Sequence, residues 1–282
     1  MISPSLSDIM TRNVLTVRPS DSLQLVQRLM VRYQITRFVV VDKKQRAIGI
    51  LTQKDLIRAI SEDTTEREIN EIPASEAMTK KLITVTPQTK VSSAAKTMLD
   101  KNISSLIVVD EEGKLEGIVT KTDLCRWYYQ KCYGYFKVKD AVTRNVITVK
   151  PSASIFRVVD LMNKNAIHRV VVVENDEPVG VVTASDLTLT STILKPSHVL
   201  RGKKPMMVKG TFIVSPAAVS SLTARDVMTA DPLVLKEEDD LGEASRIMLA
   251  HRISGLPVVN AEGKLTGILT KTDIAKSVAK MD

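Results

Sequence analysis

The feature that most constrains the fold of this chain is a unit that occurs four times along it. Each copy starts with D-x-M-T or a close variant, and ends with G-h-h-T-x-x-D, where h is apolar. The starts are Asp8–Thr11, Glu76–Thr79, Asp140–Thr143 and Asp226–Thr229, and the ends are Gly49–Asp55, Gly117–Asp123, Gly180–Asp186 and Gly267–Asp273. Because both segments recur in the same order each time, the sequence predicts four copies of one folding unit, called here repeats one to four.

The pattern between these two segments predicts the secondary structure of a repeat. Leu23, Val26 and Met30 in repeat one have the spacing of one helix face, and the apolar run Phe38–Val41 is typical of a strand. The Thr-x-x-Asp that follows the last strand can cap the free N–H groups of a new helix. Each repeat is therefore expected to fold as β-α-β-β-α, which places the chain in the α+β (mixed α/β) class.

Domain boundaries follow from the repeats and from the segments that interrupt them. A single unit buries little surface, so the repeats are expected to pack in pairs. The predicted divisions are repeat one at 1–62, repeat two at 70–130, an aromatic and basic linker at 131–139, repeat three at 140–192, a basic insertion at 193–222 and repeat four at 223–282.

Composition excludes several classes of protein. With 44% hydrophobic and 26% charged residues the chain is typical of a globular protein. Apolar runs are too short for a membrane helix, and the first residues lack the features of a signal peptide, so a cytoplasmic protein with no membrane partner is expected. Three scattered histidines, two cysteines and the absence of nucleophile or Walker motifs predict no metal, no covalent cofactor and no enzymatic activity.

The start motif, the strand of the form hhVVD and the end motif resemble those of the CBS-domain family, named for cystathionine β-synthase. All four copies match, so the resemblance covers nearly the whole chain outside the linkers. In that family two repeats form a module with two clefts, which bind AMP, ADP, ATP or S-adenosyl compounds, and modules often pair into a disc. The γ subunit of AMP-activated protein kinase is a four-repeat member.

This resemblance implies two modules, residues 1–130 and 140–282, that form one flat disc. It also implies a regulatory, energy-sensing function in which adenine nucleotide is the ligand and an unidentified protein is the target. A second copy of the chain is a further candidate partner.

The motif aspartates are the predicted ribose-binding residues. A nucleotide needs a carboxylate for its ribose hydroxyls and N–H groups or positive charge for its phosphate, and a helix N-terminus supplies such N–H groups. The resemblance implies that the carboxylates are those of Asp55, Asp123, Asp186 and Asp273. The alternative interpretation is that each threonine and aspartate only caps its helix.

The resemblance also implies which residues share a cleft, because the aspartate of one repeat faces the strand entrance of its partner. Two clefts contain arginine: Thr120 and Asp123 with Thr36 and Arg37, and Thr270 and Asp273 with His168 and Arg169. The other two combine Thr52 and Asp55 with Ser104 and Ser105, and Thr183 and Asp186 with Ser254 and Gly255. Guanidinium binds phosphate through two parallel hydrogen bonds, so the arginine clefts are the predicted phosphate sites. Alternatively, Arg37 and Arg169 are solvated residues at strand starts.

Two segments outside the repeat pattern carry the excess positive charge. Residues 124–139 and 187–225 contain no acidic residue and together carry +10, whereas the whole chain carries +8. Residues 124–139 also hold six of the ten aromatic residues. These features predict, as an alternative function, an RNA- or ribosome-binding factor, whose candidate contacts are Arg126, Trp127, Lys131, Arg201, Lys203, Lys204 and Lys209.

Both segments also have purely structural interpretations. The aromatic rings can pack the two modules together, and the insertion can be a linker with a small hairpin around Lys209 and Gly210.

Overall fold

The computed structural model describes residues 4–62, 67–187 and 222–281. Repeat one contains strand Thr16–Val17, helix Leu23–Tyr33, strands Arg37–Val41 and Ala47–Thr52, and closing helix Gln53–Glu62. Repeat two contains Thr84–Val85, Val91–Asp100, Ser105–Val109, Leu115–Thr120 and closing helix Lys121–Lys131 in the same order. Repeat three contains Thr148–Val149, Ile155–Lys164, Arg169–Glu174, Glu177–Thr183 and helical residues 184–187. Repeat four contains Leu235–Lys236, Leu241–Ala250, Gly255–Val259, Leu265–Thr270 and closing helix Lys271–Ala279. The predicted mixed α/β class and the β-α-β-β-α order are confirmed.

Each repeat has its own small mixed sheet. The opening strand lies parallel to the middle strand, which pairs antiparallel with the third strand. A register shift occurs at the same place in every sheet, for example between Val40 and Val41 and between Val258 and Val259. In repeat three, strand Thr229–Ala230 adds a fourth member to the sheet. The four sheets are therefore copies of one design with one extension.

The chain divides into two compact units. Unit 1 comprises Met1–Gly134, Ser245–Ala250 and Lys271–Asp282, and unit 2 comprises Tyr135–Ala244 and His251–Thr270. The closing helix of repeat four thus belongs to unit 1, where it packs against helices Val91–Asp100 and Lys121–Lys131. The flat disc stays a prediction.

In each pair of repeats, the start motif of one repeat pairs with the last strand of the other. In unit 1, Thr11 of repeat one forms a β-bridge with Ile118 of repeat two, and Thr79 of repeat two forms one with Ile50 of repeat one. Both bridges use two backbone hydrogen bonds of 2.9 to 3.0 Å. A shared apolar cluster, which includes Val39 of repeat one and Ile107 and Ile118 of repeat two, lies between the two sheets. The start motif of one repeat therefore extends, by backbone hydrogen bonds, the strand that carries the end motif of its partner.

This pairing explains the glycine that opens each end motif. The residue before the bridging threonine packs directly on that glycine, as Met78 does on Gly49 and Met10 on Gly117. A Cβ atom on Gly49 would collide with the Met78 side chain. The glycine thus permits the close approach of the two repeats.

In unit 2 the residue that packs on the glycine is Val142 in one case and Met228 in the other, and this difference makes the close approach testable. A Cβ on Gly267 would collide with Val142 and lie 3.0 Å from the Thr143 carbonyl oxygen, whereas a Cβ on Gly180 would meet the flexible Met228 side chain. Because valine has few alternative rotamers, we expect Gly267→Ala to lower the free energy of unfolding by about 1–3 kcal/mol. Gly180→Ala is expected to cost less. Urea denaturation of both variants measures the difference, and equal losses would contradict this account.

The aromatic segment is divided between core and surface. Tyr128 is fully buried on closing helix Lys121–Lys131, beside the buried Leu124 and Cys125. Tyr129, Tyr133 and Tyr135 are exposed. The segment thus supplies one ring to a core and three to the surface, and packing between the modules stays a prediction.

The basic insertion at 193–222 lies almost entirely outside the described residues, together with its proposed hairpin and with Arg201, Lys203, Lys204 and Lys209. None of the helices in the described ranges is long and apolar enough to cross a membrane.

Candidate ligand-binding clefts

The Thr-x-x-Asp segments of repeats one, two and three form capping boxes. The N–H of Thr120 and its hydroxyl both donate to Asp123 Oδ2, at 2.8 and 2.7 Å, while Thr120 Oγ1 accepts from the N–H groups of Thr122 and Asp123. The same backbone and hydroxyl hydrogen bonds join Thr52 to Asp55, at 2.9 and 2.5 Å, and Thr183 to Asp186, at 2.7 and 2.7 Å. Each of these three pairs therefore caps its helix, and both the ribose-binding role and the alternative that capping is the only role stay predictions.

Three of the four motif carboxylates are buried, whereas Asp186 is half-buried. The exposed fractions are 7% for Asp55, 5% for Asp123 and 2% for Asp273. An unpaired buried carboxylate is costly, so each needs a counter-charge. One is supplied from the same helix, three residues later: Arg58 NH2 lies 3.0 Å from Asp55 Oδ1, Arg126 NH1 lies 2.6 Å from Asp123 Oδ1, and Lys276 Nζ lies 2.8 Å from Asp273 Oδ1.

Arg58 and Lys276 were not among the predicted site residues, and Arg126 was predicted only as an RNA contact. The available signal was an acid and a base three residues apart at a helix start, a spacing that brings side chains together.

Arg37 interacts with residues assigned to both predicted clefts of unit 1. Its NH1 donates to Ser104 Oγ at 3.1 Å. Burial lowers the pKa of Arg37, and the nearby charge of Asp123 acts in the opposite direction. The structure thus brings Arg37 near Asp123, in the combination expected from the sequence, but joins it also to Ser104, which was assigned to the Asp55 cleft. Ser105 begins the adjoining strand, and the Thr36 carbonyl accepts from the Gln53 N–H at 2.9 Å.

Unit 2 repeats this arrangement with Arg169. Its NH2 donates to Ser254 Oγ at 2.6 Å. Gly255 leaves room for the guanidinium group, because a Cβ at this position would collide with it. The His168 carbonyl accepts from the Ala184 N–H at 2.9 Å, at the helix start that follows Thr183. Thr270 ends strand Leu265–Thr270, and the combination of Asp273 with His168 and Arg169 stays a prediction.

Two lysines that sequence analysis did not single out link the closing helices within unit 1. Lys121 Nζ donates to Thr272 Oγ1, and Lys271 Nζ donates to Thr122 Oγ1, both at 3.1 Å. Burial lowers the pKa of Lys121; Asp273 opposes this effect, and Lys276 and Arg37 add to it. The sequence signal was T-K-T-D, which occurs in repeats two and four alone. The Asp123 and Asp273 helix starts therefore share a positively charged environment.

Neither a metal centre nor a reactive thiol emerges from the described part of the chain. It contains no group of three or more histidine, cysteine, aspartate or glutamate side chains that could hold a metal ion. Burial raises the pKa of Cys125 to about 12 and that of Cys132 to about 11. Both thiols are therefore protonated at neutral pH and poorly nucleophilic.

The fold defines a tandem-repeat protein in which the start motif of each repeat pairs with the last strand of its partner. The chain belongs to the CBS domain family, whose sequence model matches residues 6–62, 74–130, 138–190 and 224–280.

Two relatives from Methanocaldococcus jannaschii match 95% or more of the chain. Protein MJ1404 is 30% identical over 285 residues, which are 100% of this chain and 63% of that protein, so the chain spans under two thirds of its length. Protein MJ1225 is 26% identical over 282 residues, 95% of this chain and 96% of the relative. The crystal structure of MJ1225, described as a proposed archaeal homologue of γ-AMPK, superimposes with a TM-score of 0.76 and 22% identity over 97% of this chain and 99% of that one. This likeness confirms the fold.

Proposed function

We propose that this protein is a non-catalytic regulator that binds an adenine nucleotide (AMP, ADP or ATP) or an S-adenosyl compound in its clefts. The observation that carries the proposal is a buried carboxylate, Asp123, at a helix start, within electrostatic reach of the half-buried Arg37. A nucleotide requires this combination, because the carboxylate accepts hydrogen bonds from ribose hydroxyls and the guanidinium binds phosphate.

Regulation would act through the pairing of the repeats. A ligand shifts a conformational equilibrium only by binding the two states unequally. The bridges of Thr11 with Ile118 and of Thr79 with Ile50 join the two repeats of unit 1 at the strands that lead into the closing helices. A ligand held by a closing helix and by the strand start of the partner repeat would alter the tilt between repeats, and a protein target would recognise that change.

Two measurements test the proposed function. Mass spectrometry of small molecules released from the purified protein is expected to show an adenine nucleotide or an S-adenosyl compound. Calorimetric titration of ligand-free protein with AMP, ADP, ATP and S-adenosylmethionine is expected to show binding of at least one of them. Folded protein that releases none and binds none would overturn the proposal.

RNA or ribosome binding remains the second candidate, favoured by the exposed Tyr129, Tyr133 and Tyr135 near Lys131 in sequence. The charge of this segment is partly neutralised within the chain. Lys137 and Lys139 both pair with Glu238, at 2.5 and 2.8 Å. An RNA contact would therefore depend mainly on the aromatic rings and on the basic insertion.

A salt series decides this second candidate. If the insertion contacts single-stranded RNA, log affinity should fall with log salt concentration by about 0.7 per phosphate contact. Replacing Arg201, Lys203 and Lys204 with glutamine is expected to flatten that slope. Trp127→Ala is expected to lower the affinity and to leave the slope unchanged. Filter binding to cellular RNA and ribosomal subunits measures both, and absence of binding at low salt would rule the candidate out.

A further inference from the structure

The carboxylate oxygen that faces a predicted ribose site already carries an ion pair. Asp123 Oδ2 accepts from both the N–H and the hydroxyl of Thr120, and Oδ1 accepts from Arg126 at 2.6 Å. A carboxylate oxygen accepts about two hydrogen bonds. Oδ2 is therefore saturated by the helix cap, and the hydrogen bonds of a ligand must be made at Oδ1.

A ribose presents two neighbouring hydroxyl groups, whereas Arg126 occupies one of the two acceptor positions of Oδ1. At Asp55 the competition is stronger, because Oδ1 accepts from Thr79 Oγ1 at 3.3 Å as well as from Arg58 at 3.0 Å. At Asp123 both ribose hydroxyls can bind Oδ1 only if Arg126 moves away, and at Asp55, where Thr79 also donates, even one hydroxyl can bind only if Arg58 does.

The two partners of each ion pair differ in their freedom to move. The carboxylates are buried, but the exposed fractions of the cationic side chains are 42% for Arg58, 51% for Arg126 and 53% for Lys276. A half-exposed cation can turn toward water and become fully hydrated. The carboxylates of Asp55 and Asp123, in contrast, are held in place by their helix caps.

We propose that Arg126, and Arg58 and Lys276 at the corresponding positions, are internal counter-ions that compete with the ribose of the ligand. Each neutralises a buried carboxylate while the cleft is empty and leaves Oδ1 when a nucleoside binds. The inference rests on the proposed function, since it concerns the same aspartates. The arrangement occurs in three repeats; position 189, three residues after Asp186, is leucine.

The direction in which one substitution changes nucleoside affinity distinguishes a competing role of Arg126 from a positioning role. If Arg126 competes, Arg126→Gln removes the ion pair and strengthens nucleoside binding; if Arg126 orients Asp123 for the ligand, the same change weakens it. We expect adenosine to bind the variant about two- to fivefold more tightly at low salt, the range given by partly exposed ion pairs. The triple variant Arg58→Gln, Arg126→Gln, Lys276→Gln should show at least this gain.

Salt supplies an independent readout, because adenosine is uncharged. Salt weakens the partly exposed ion pair, so adenosine affinity of the unmodified protein should rise between about 50 mM and about 500 mM NaCl. The affinity of Arg126→Gln should stay nearly constant, and Arg126→Lys should restore the rise. Arg157→Gln is the matched control, since Arg157 pairs with Asp160 three residues later, at 3.5 Å, on a helix that does not follow a Thr-x-x-Asp.

Calorimetry with adenosine, and with AMP in parallel, decides the outcome, and thermal melting checks that each variant is folded. Weaker binding to Arg126→Gln, or no rise with salt in the unmodified protein, would overturn competition while leaving nucleotide binding intact. If only AMP binds, the ratio of its affinities for the variant and the unmodified protein gives the sign. If neither ligand binds the unmodified protein, the proposed function itself falls.

Discussion

Replacing both Asp123 and Asp273 with alanine is expected to weaken binding of adenine nucleotide by about 10- to 150-fold at each altered cleft. This range corresponds to the loss of one hydrogen bond to a charged group, about 1.5–3 kcal/mol. Each carboxylate is buried at the start of a closing helix. It is the acidic residue of that helix's first turn, so no neighbouring carboxylate can replace it. Calorimetry with AMP, ADP and ATP measures the loss.

A matched control separates ligand contact from helix capping. Asp226 forms the same capping box with Thr223, with two hydrogen bonds of 2.7 Å, but it is exposed and lies on the short helix Ala224–Val227. Asp226→Ala therefore removes an equivalent cap without removing a cleft carboxylate. Nucleotide affinity should be unchanged in this variant. An unchanged isotherm for the Asp123 and Asp273 variant would remove these residues from the ligand site.

Replacing Arg37 or Arg169 with glutamine is expected to weaken ATP and AMP by about 10- to 150-fold while leaving adenosine nearly unaffected. A guanidinium group makes charge-assisted hydrogen bonds to phosphate, about 1.5–3 kcal/mol each, and makes no such bond to an uncharged nucleoside. Arg→Lys should retain part of the affinity, because it keeps the charge and loses the two-pronged geometry. Parallel titrations with adenosine, AMP and ATP give the comparison.

The serine partner of each arginine provides the control for this prediction. Ser104 accepts from Arg37, and Ser254 accepts from Arg169. Ser104→Ala and Ser254→Ala remove that anchor without removing the charge, so their effect on AMP should be much smaller than that of Arg→Gln. Equal weakening of adenosine and AMP by Arg37→Gln would show that the arginine shapes its cleft without contacting phosphate.

Much of the fold was predictable because it depends on local pattern. Apolar residues three and four apart, as at Leu23, Val26 and Met30, bury one face of a helix wherever that helix packs, and the structure buries all three. An apolar run such as Phe38–Val41 suits a covered strand, and a Thr-x-x-Asp can cap a helix with its own side chains. The fourfold recurrence of these patterns determined the repeat architecture without reference to any long-range contact.

The candidate site was predictable only in part. Its aspartates recur at the same place in each repeat, so the sequence identified them. Composition predicts Arg126 only as an RNA contact, which stays a prediction, and gives no sign that its guanidinium lies 2.6 Å from Asp123 Oδ1. That contact depends on the direction in which the side chain leaves the helix, which composition does not encode.

The sequence by itself determined that four β-α-β-β-α repeats form, because each element requires only the periodicity and capping residues of its own segment. Only the tertiary structure decided which individual residues join the paired repeats. The bridge of Thr11 with Ile118, the packing of Val142 on Gly267 and the bond from Lys121 to Thr272 join residues that are distant in the chain. Such contacts depend on strand register and on the volume available between packed elements, and neither quantity is a property of a local segment.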